Sequence, residues 1–160
     1  MKNSKKQTNI NNNVLNFLKK TNNNKISNNF YLQKLNLKRF RNHSKLNLVV
    51  PDSPVLIYGE NGCGKTNILE AISLLNPGKG IRKSKAEDYL FKDPLSGDDN
   101  QLWGVNADLF TPNGIVNIGT GSKENSLNKS RNIRVNFENS TQLTIGKIFK
   151  ISWVTPQMCM

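Results

Sequence analysis

Gly59-Glu60-Asn61-Gly62-Cys63-Gly64-Lys65-Thr66-Asn67 is the stretch on which the reading of this chain turns. Gly59, Gly64, Lys65 and Thr66 fit the spacing G-x-x-x-x-G-K-[ST] of a P-loop, in which backbone N–H groups of a glycine-rich turn surround phosphate oxygens at a helix N-terminus. Glycine is required because the turn uses backbone conformations, and permits a close approach, that a side chain would block. Lys65 is expected to reach the terminal phosphates of ATP as a point charge. The Thr66 hydroxyl is expected to complete the shell of a Mg2+ ion touching the same phosphates. The bland reading is a plain turn between strand and helix.

Context separates the two. Val55-Leu56-Ile57-Tyr58 is a short apolar run suited to a buried strand, and Ile68, Leu69, Ile72 and Leu75 then recur at helical spacing until Asn76-Pro77-Gly78 supplies a stop. Strand, loop and helix come in the order that the motif demands.

Composition bounds the rest. The 160 residues suffice for one domain of ordinary size, and 23 Lys and Arg against 11 Asp and Glu leave a formal net charge of +12. Such an excess suits a polyanionic partner through phosphate neutralisation. The competing account is coding bias, since Asn, Lys and Ile are abundant together. Two cysteines, Cys63 and Cys159, are too few for a disulfide framework and fit a reducing compartment. No apolar run reaches the length of a membrane span, and the N-terminus lacks the apolar core of a secretory signal. It is also Lys- and Asn-rich where a mitochondrial presequence would be Arg-rich. The chain reads as soluble and cytoplasmic, with no membrane partner.

Residues 1–29 are dominated by Asn and Lys around one small apolar cluster, Val14, Leu15, Phe17 and Leu18. That is too little apolar surface to offset the entropy of ordering, so a disordered extension is expected; a basic arm on nucleic acid, or a turn that docks on a partner, is the sharper alternative. From Phe30 the pattern changes. Leu35 and Leu37 alternate with polar residues, as do Leu46, Leu48 and Val50, which argues for half-buried strands. Pro51-Asp52-Ser53-Pro54 is a turn before the third strand, Val55 to Tyr58. After the helix comes the polar, basic connection PGKGIRKSKAEDYLF. Further strands are expected over Trp103 to Phe110, Ile115 to Ile118, Arg131 to Phe137 and Ile148 to Thr155. The fold class is α/β, one strand-rich lobe around a single clear helix.

The run LNLKRFRNHSKLNLVVPDSPVLIYGENGCGKTNILEAISLLNPGKGIRKSKAEDYL resembles the RecF family, bacterial DNA replication and repair ATPases of the ABC/SMC/Rad50 class. Phe40-Arg41-Asn42, the Asn-containing loop, Leu69-Glu70-Ala71-Ile72 and Pro77-Gly78-x-Gly80-x-Arg82 carry it, in that order. Ile118-Gly119-Thr120-Gly121, Arg131 to Phe137 and Trp153-Val154-Thr155-Pro156 resemble the family's first lobe. A P-loop alone has low specificity; Phe40-Arg41-Asn42, the Asn-containing form of the loop and the Pro77-Gly78-x-Gly80-x-Arg82 segment in this order have much more. The resemblance covers about residues 30 to 158.

The resemblance implies a P-loop NTPase of ABC-ATPase head type, of which 30–160 would be the first lobe. It also implies ATP-dependent homodimerisation on DNA at single-strand gaps and junctions, with recombination mediator proteins as partners, in recombinational repair and the SOS response. In the family each nucleotide lies between the P-loop of one head and the signature segment of the other. Hydrolysis needs a Walker B aspartate and glutamate, because phosphoryl transfer is catalysed by positioning and charge stabilisation. No signature segment or Asp-Glu strand stands within these residues, so the expectation is the front half of a longer protein with no complete catalytic set.

Individual residues are weighed the same way. Glu60, Gly62 and Asn67 belong to the loop that would line the nucleotide. Asn61 is read as orienting water or a partner residue there, or else as loop packing. Arg41 and Arg82 are read as guanidinium forks for nucleotide or DNA phosphate, with surface ion pairing as the alternative. Gln157 resembles the Q-loop glutamine that senses Mg2+ and the γ-phosphate. Cys63 fills a variable loop position, where a thiol reagent should reach it and ATP should protect it. His43, the sole histidine, lies in no metal-ligand set and is assigned no role. Leu95-Ser96-Gly97-Asp98 superficially matches an ABC signature but reads better as a turn, since Asp98 would repel the phosphates.

Two other classes stay open. A small phosphotransferase or GTPase would show an Asn-Lys-x-Asp base-reading motif, which Asn128-Lys129-Ser130-Arg131 breaks at its last position. A basic nucleic-acid-binding module with a vestigial P-loop would bind DNA without ATP and in a salt-sensitive way. An SMC-like nuclease head shares the Phe-Arg-Asn motif and the loop but not the PGxGxR segment.

Overall fold

The computed structural model describes residues 30–91, 102–122 and 131–154. The expectations placed on residues 1–29, on Leu95 to Asp98, on Asn128 to Ser130 and on Gln157 lie outside these. Period-two patterning becomes strand wherever one face finds a core. The strands β1 (Tyr31–Phe40), β2 (His43–Val49), β3 (Gly104–Thr111), β4 (Gly114–Gly121), β5 (Asn132–Val135) and β6 (Glu138–Asn139) form one sheet in the order β2-β1-β3-β4-β5-β6. Every pairing is antiparallel. The chain leaves the sheet after β2, runs through the glycine-rich loop into α1 (Lys65–Leu74) and a 3-10 turn (Ala86–Tyr89), and re-enters as β3 on the far side of β1. That excursion folds onto one face.

The covered face is the core. Leu35 and Leu37 of β1, Val105 and Ala107 of β3, and Val116 and Ile118 of β4 are buried together with Ala71, Leu74 and Leu75 of the helix. Each buried Leu contributes about 1.5–3 kcal/mol by leaving water. Phe40, Tyr89 and Trp103 close one end, with ring centroids 5.1 to 5.7 Å apart. The Trp103 indole N–H donates to the Ala86 carbonyl at 2.8 Å, so its polar atom is satisfied there.

Two expected strands are absent. Residues 51–58 lie extended but outside any ladder, and Leu56 and Tyr58 are 83% and 84% exposed. A strand exists only through its neighbours, and among the described residues none runs beside this one. The apolar run reports a demand for burial without naming what meets it. Ile148, expected to open a strand, instead ends α2 (Gln142–Ile148), and 149–154 carries no regular structure. There the Asn76 amide bonds both backbone groups of Ile151, at 3.0 and 3.3 Å, in the role a neighbouring strand would have filled. Gly146 and the β-branched Thr144 and Ile145 are weak helix formers. Burial of Ile145 in the core overrides that preference.

Candidate functional site

The geometry of the loop starts at Gly64. It sits at φ 97°, in the left-handed region, and a Cβ there would come within 2.5 Å of the His43 ring and 2.6 Å of the Asn42 amide. Only glycine fits. The Phe40-Arg41-Asn42-His43 turn therefore presses directly against the glycine-rich loop. The Asn42 amide donates to the Gly62 carbonyl at 3.1 Å, and His43 Nε2 lies 3.3 Å from the Gly64 carbonyl.

The start of α1 is open. Gly64 supplies no side-chain cap and the first turn holds no acidic residue, so the leading N–H groups of the helix are left to an external acceptor. Lys65 folds back along the loop, donating to the carbonyls of Gly59 at 2.8 Å and Glu60 at 2.6 Å, with Cys63 Sγ at 3.8 Å. Gly59 to Cys63 and Thr66 are exposed. A cation, a helix N-terminus and a solvent-facing glycine turn meet here, and this set of donors fits the phosphates of ATP; Thr66, next to Lys65 in the chain, is exposed at the same helix start.

Behind the loop lies a polar cluster around Glu70, which is fully buried on α1. Its carboxylate accepts from Arg41 Nε at 2.9 Å and Nη2 at 2.7 Å, and from Arg82 Nη1 at 3.0 Å. This is a bidentate pair with a second arginine added. Arg41 occupies the β1–β2 turn at φ 56°, and its guanidinium also donates to Ser84 Oγ and the Asp88 carbonyl, and lies 5.0 Å from the Tyr89 ring centroid. Burial, with the nearby Glu70 charge, raises the Tyr89 hydroxyl above its ordinary pKa; the proton it keeps is donated to the carbonyls of Lys79 and Ser84. Arg82 reaches Asn67 Oδ1 at 3.0 Å, and the Asn67 amide reaches Asn42 Oδ1 at 2.7 Å. A continuous chain of bonds runs from Glu70 through Arg82, Asn67 and Asn42 to the loop carbonyl of Gly62.

Arg41 and Arg82, read from sequence as phosphate forks, are thus both engaged by Glu70. Asn61 is exposed on the loop. Sequence reasoning missed Glu70, Asn42 and His43 as neighbours of the loop. The signal in reach was a carboxylate on the apolar side of α1, which demands cationic partners. It also missed Arg131, whose part-buried guanidinium donates to the carbonyls of Leu74, of Asn76 at 3.0 Å and of Gly78 at 2.7 Å, closing the far end of the helix. Burial lowers the pKa of Arg131 below its ordinary value.

Comparison with known proteins gives this arrangement a family. Residues 34–155 match the AAA domain model, and the chain belongs to that family. The RecF resemblance is also shown. The chain is 38% identical over 133 residues to the DNA replication and repair protein RecF of Rickettsia typhi, covering 81% of this chain and 34% of the relative. Against RecF of Mesorhizobium japonicum it is 35% identical over 129 residues, covering 80% and 33%. It therefore spans about a third of the length of these curated relatives. Among solved structures, the recombination mediator protein RecF-ATPrS of the RecFOR pathway superposes with a TM-score of 0.61 at 28% identity, over 78% of this chain and 31% of that one. The SMC head domain from Thermotoga maritima superposes at 0.60 and 21% identity, over 74% and 42%, which shows the fold alone. The described residues have the α/β fold of a P-loop NTPase of ABC-ATPase head type, in its strand-rich first lobe. No helix among them is long and apolar enough to cross a membrane.

Proposed function

We propose that residues 30–160 form the ATP-binding lobe of a RecF-like DNA replication and repair ATPase. The observation that carries this reading is the uncapped N-terminus of α1 with Lys65 lying along the loop in front of it. The backbone from Gly59 to Gly64, with Glu60, Asn61, Gly62 and Cys63, forms the cradle. Lys65 leaves the carbonyls of Gly59 and Glu60 for the terminal phosphates, Thr66 takes one position on Mg2+, and Asn67 holds the cradle through Asn42. Arg41 and Gln157 act at the same nucleotide, Arg41 after exchanging part of its bonding to Glu70. Function in the cytoplasm on single-stranded gaps and junctions, with ATP-dependent homodimerisation, recombination mediator partners and a place in the SOS response, belongs to the same reading. Residues 1–29 are proposed as an Asn/Lys-rich extension that precedes this lobe.

The signature segment and the Walker B aspartate and glutamate that complete the family's site are not among the described residues, so the expected outcome for the 160-residue chain is weak ATP binding and no turnover. Equilibrium binding of labelled ATP at high chain concentration tests this. Binding should be lost in Lys65→Ala. Turnover in a pure sample that disappears in Lys65→Ala would overturn the second half of the proposal, and ATP binding untouched by that substitution would overturn the first.

A further inference from the structure

A second surface owes nothing to the P-loop. Between the start of β1, the C-terminal half of α1, the end of β3 and the chain that leaves α2 lies an apolar groove of about 410 Å³. Phe30, Leu32, Ile72, Phe110, Ile148 and Phe149 line it, and Lys150 is the one charged residue among the described lining. Tyr31 stacks on Phe110 with ring centroids 5.1 Å apart, which braces one wall. Phe30 is 55% exposed there. Since about 150 Å³ of apolar cavity admits one benzene, the groove has room for roughly two or three apolar side chains.

Position links this groove to the chain's own beginning. Phe30 is the first described residue and lies in the groove itself, so residues 1–29 set out from its wall. They precede the family match, which begins at residue 34, and they carry six lysines and no acidic residue. Ile10, Val14, Phe17 and Leu18 recur at i, i+4, i+7 and i+8, the spacing of one helical face, with Leu15 and four asparagines between them. By itself such a segment has too little apolar surface to offset the entropy of ordering. A preformed apolar groove supplies the missing partner.

We infer that Val14, Phe17 and Leu18 seat in this groove, so that the N-terminal extension of the same chain covers it as an amphipathic segment laid in a hydrophobic channel. Eleven residues, 19 to 29, separate Leu18 from Phe30. A tether of that length reaches about 36 Å when extended, ample for folding back onto the wall from which it leaves. It also holds the segment at an effective concentration on the order of millimolar, which a free partner has to exceed to displace it. Charge does not drive the contact. The lysines of the extension and Lys150 repel one another, so seating depends on burial and is opposed by electrostatics, a term that salt screens.

Trypsin cleavage of the 160-residue chain reads the contact. Phe17→Asn combined with Leu18→Asn should speed cleavage after Lys19 and Lys20 about 5-fold, as for a contact closed four-fifths of the time, because cleavage tracks the open population. Phe30→Asn, on the groove side, leaves the cleaved sequence untouched and should speed it as well. Neither change enters the core, and unchanged far-ultraviolet circular dichroism would show that the lobe folds in both. Raising the salt should preserve the protection. A fluorescein-labelled peptide of residues 8–20 should bind the Phe17→Asn/Leu18→Asn chain about 5-fold more tightly than the parent, whose groove is free only a fifth of the time. Cleavage at the parent rate in both variants would overturn the inference. So would equal peptide binding by the two chains, which would leave the groove open to a different partner. Protection that rises with chain concentration would overturn it too, by placing the segment in the groove of a second copy.

Discussion

The two ends of α1 are built on opposite principles. At the C-terminal end, Arg131 reaches across from β5 and saturates the carbonyls of Leu74, Asn76 and Gly78, while the Leu75 backbone N–H bonds back into the last turn. At the N-terminal end there is no capping side chain, no acidic residue in the first turn, and a loop whose residues from Gly59 to Cys63 face solvent. One end is satisfied by the protein's own groups. The other keeps its donors available, with a lysine held nearby by loop carbonyls alone. The difference teaches where a ligand is admitted: an anion has nothing to offer at the closed end and meets a helix dipole and a cation at the open one.

Glu70 sits between these ends, and its removal should break the contrast most severely. Glu70→Ala leaves the part-buried guanidinium of Arg41 and the half-exposed one of Arg82 without a counter-charge, a loss of about 3 kcal/mol, the lower end of the range for a buried pair because solvent reaches both arginines. Urea denaturation should show the midpoint falling; a midpoint unchanged from the parent chain would mean that the cluster contributes no net stability. Next in size is Arg131→Ala, which opens the closed end. Loss of charge-assisted bonds to the three carbonyls should cost about 2–3 kcal/mol. It should also speed amide hydrogen exchange in the last turn of α1 while leaving the first turn unchanged. Exchange rising equally at both ends would mean that they are not independently fixed. The smallest effect sharpens the comparison at the open end. A thiol reagent should modify the exposed Cys63, and saturating ATP should slow it; equal rates with and without ATP would show that the loop does not close on phosphate.

Much of this was legible because it is local. The G-x-x-x-x-G-K-[ST] spacing, the helix that follows it and the alternation in β1, β2, β3, β4 and β5 are set by neighbours a few residues apart. The apolar run Val55 to Tyr58 carried the same kind of local signal and was misread, since period and hydrophobicity announce a need for burial and not its partner. The same holds for Ile148 to Val154, where a lone Asn76 side chain stands in for a strand. The candidate site divides likewise. Gly59 through Asn67 could be named from sequence, whereas Glu70 and Arg131 could not, because their partners lie 12 to 57 residues away along the chain.

What the sequence by itself determined is the cradle: glycines where the backbone must turn against Asn42 and His43, a lysine and a threonine at the helix start, and an excess of cations over the whole chain. What only the tertiary structure decided is which of those cations are committed. Arg41, Arg82 and Arg131 are drawn inward by a buried carboxylate and by helix-end carbonyls, whose cost of desolvation can be met only by charged donors. Lys38, Lys45 and Arg134 are turned by the pleat of the sheet to its open face, where side chains alternate and no core competes for them.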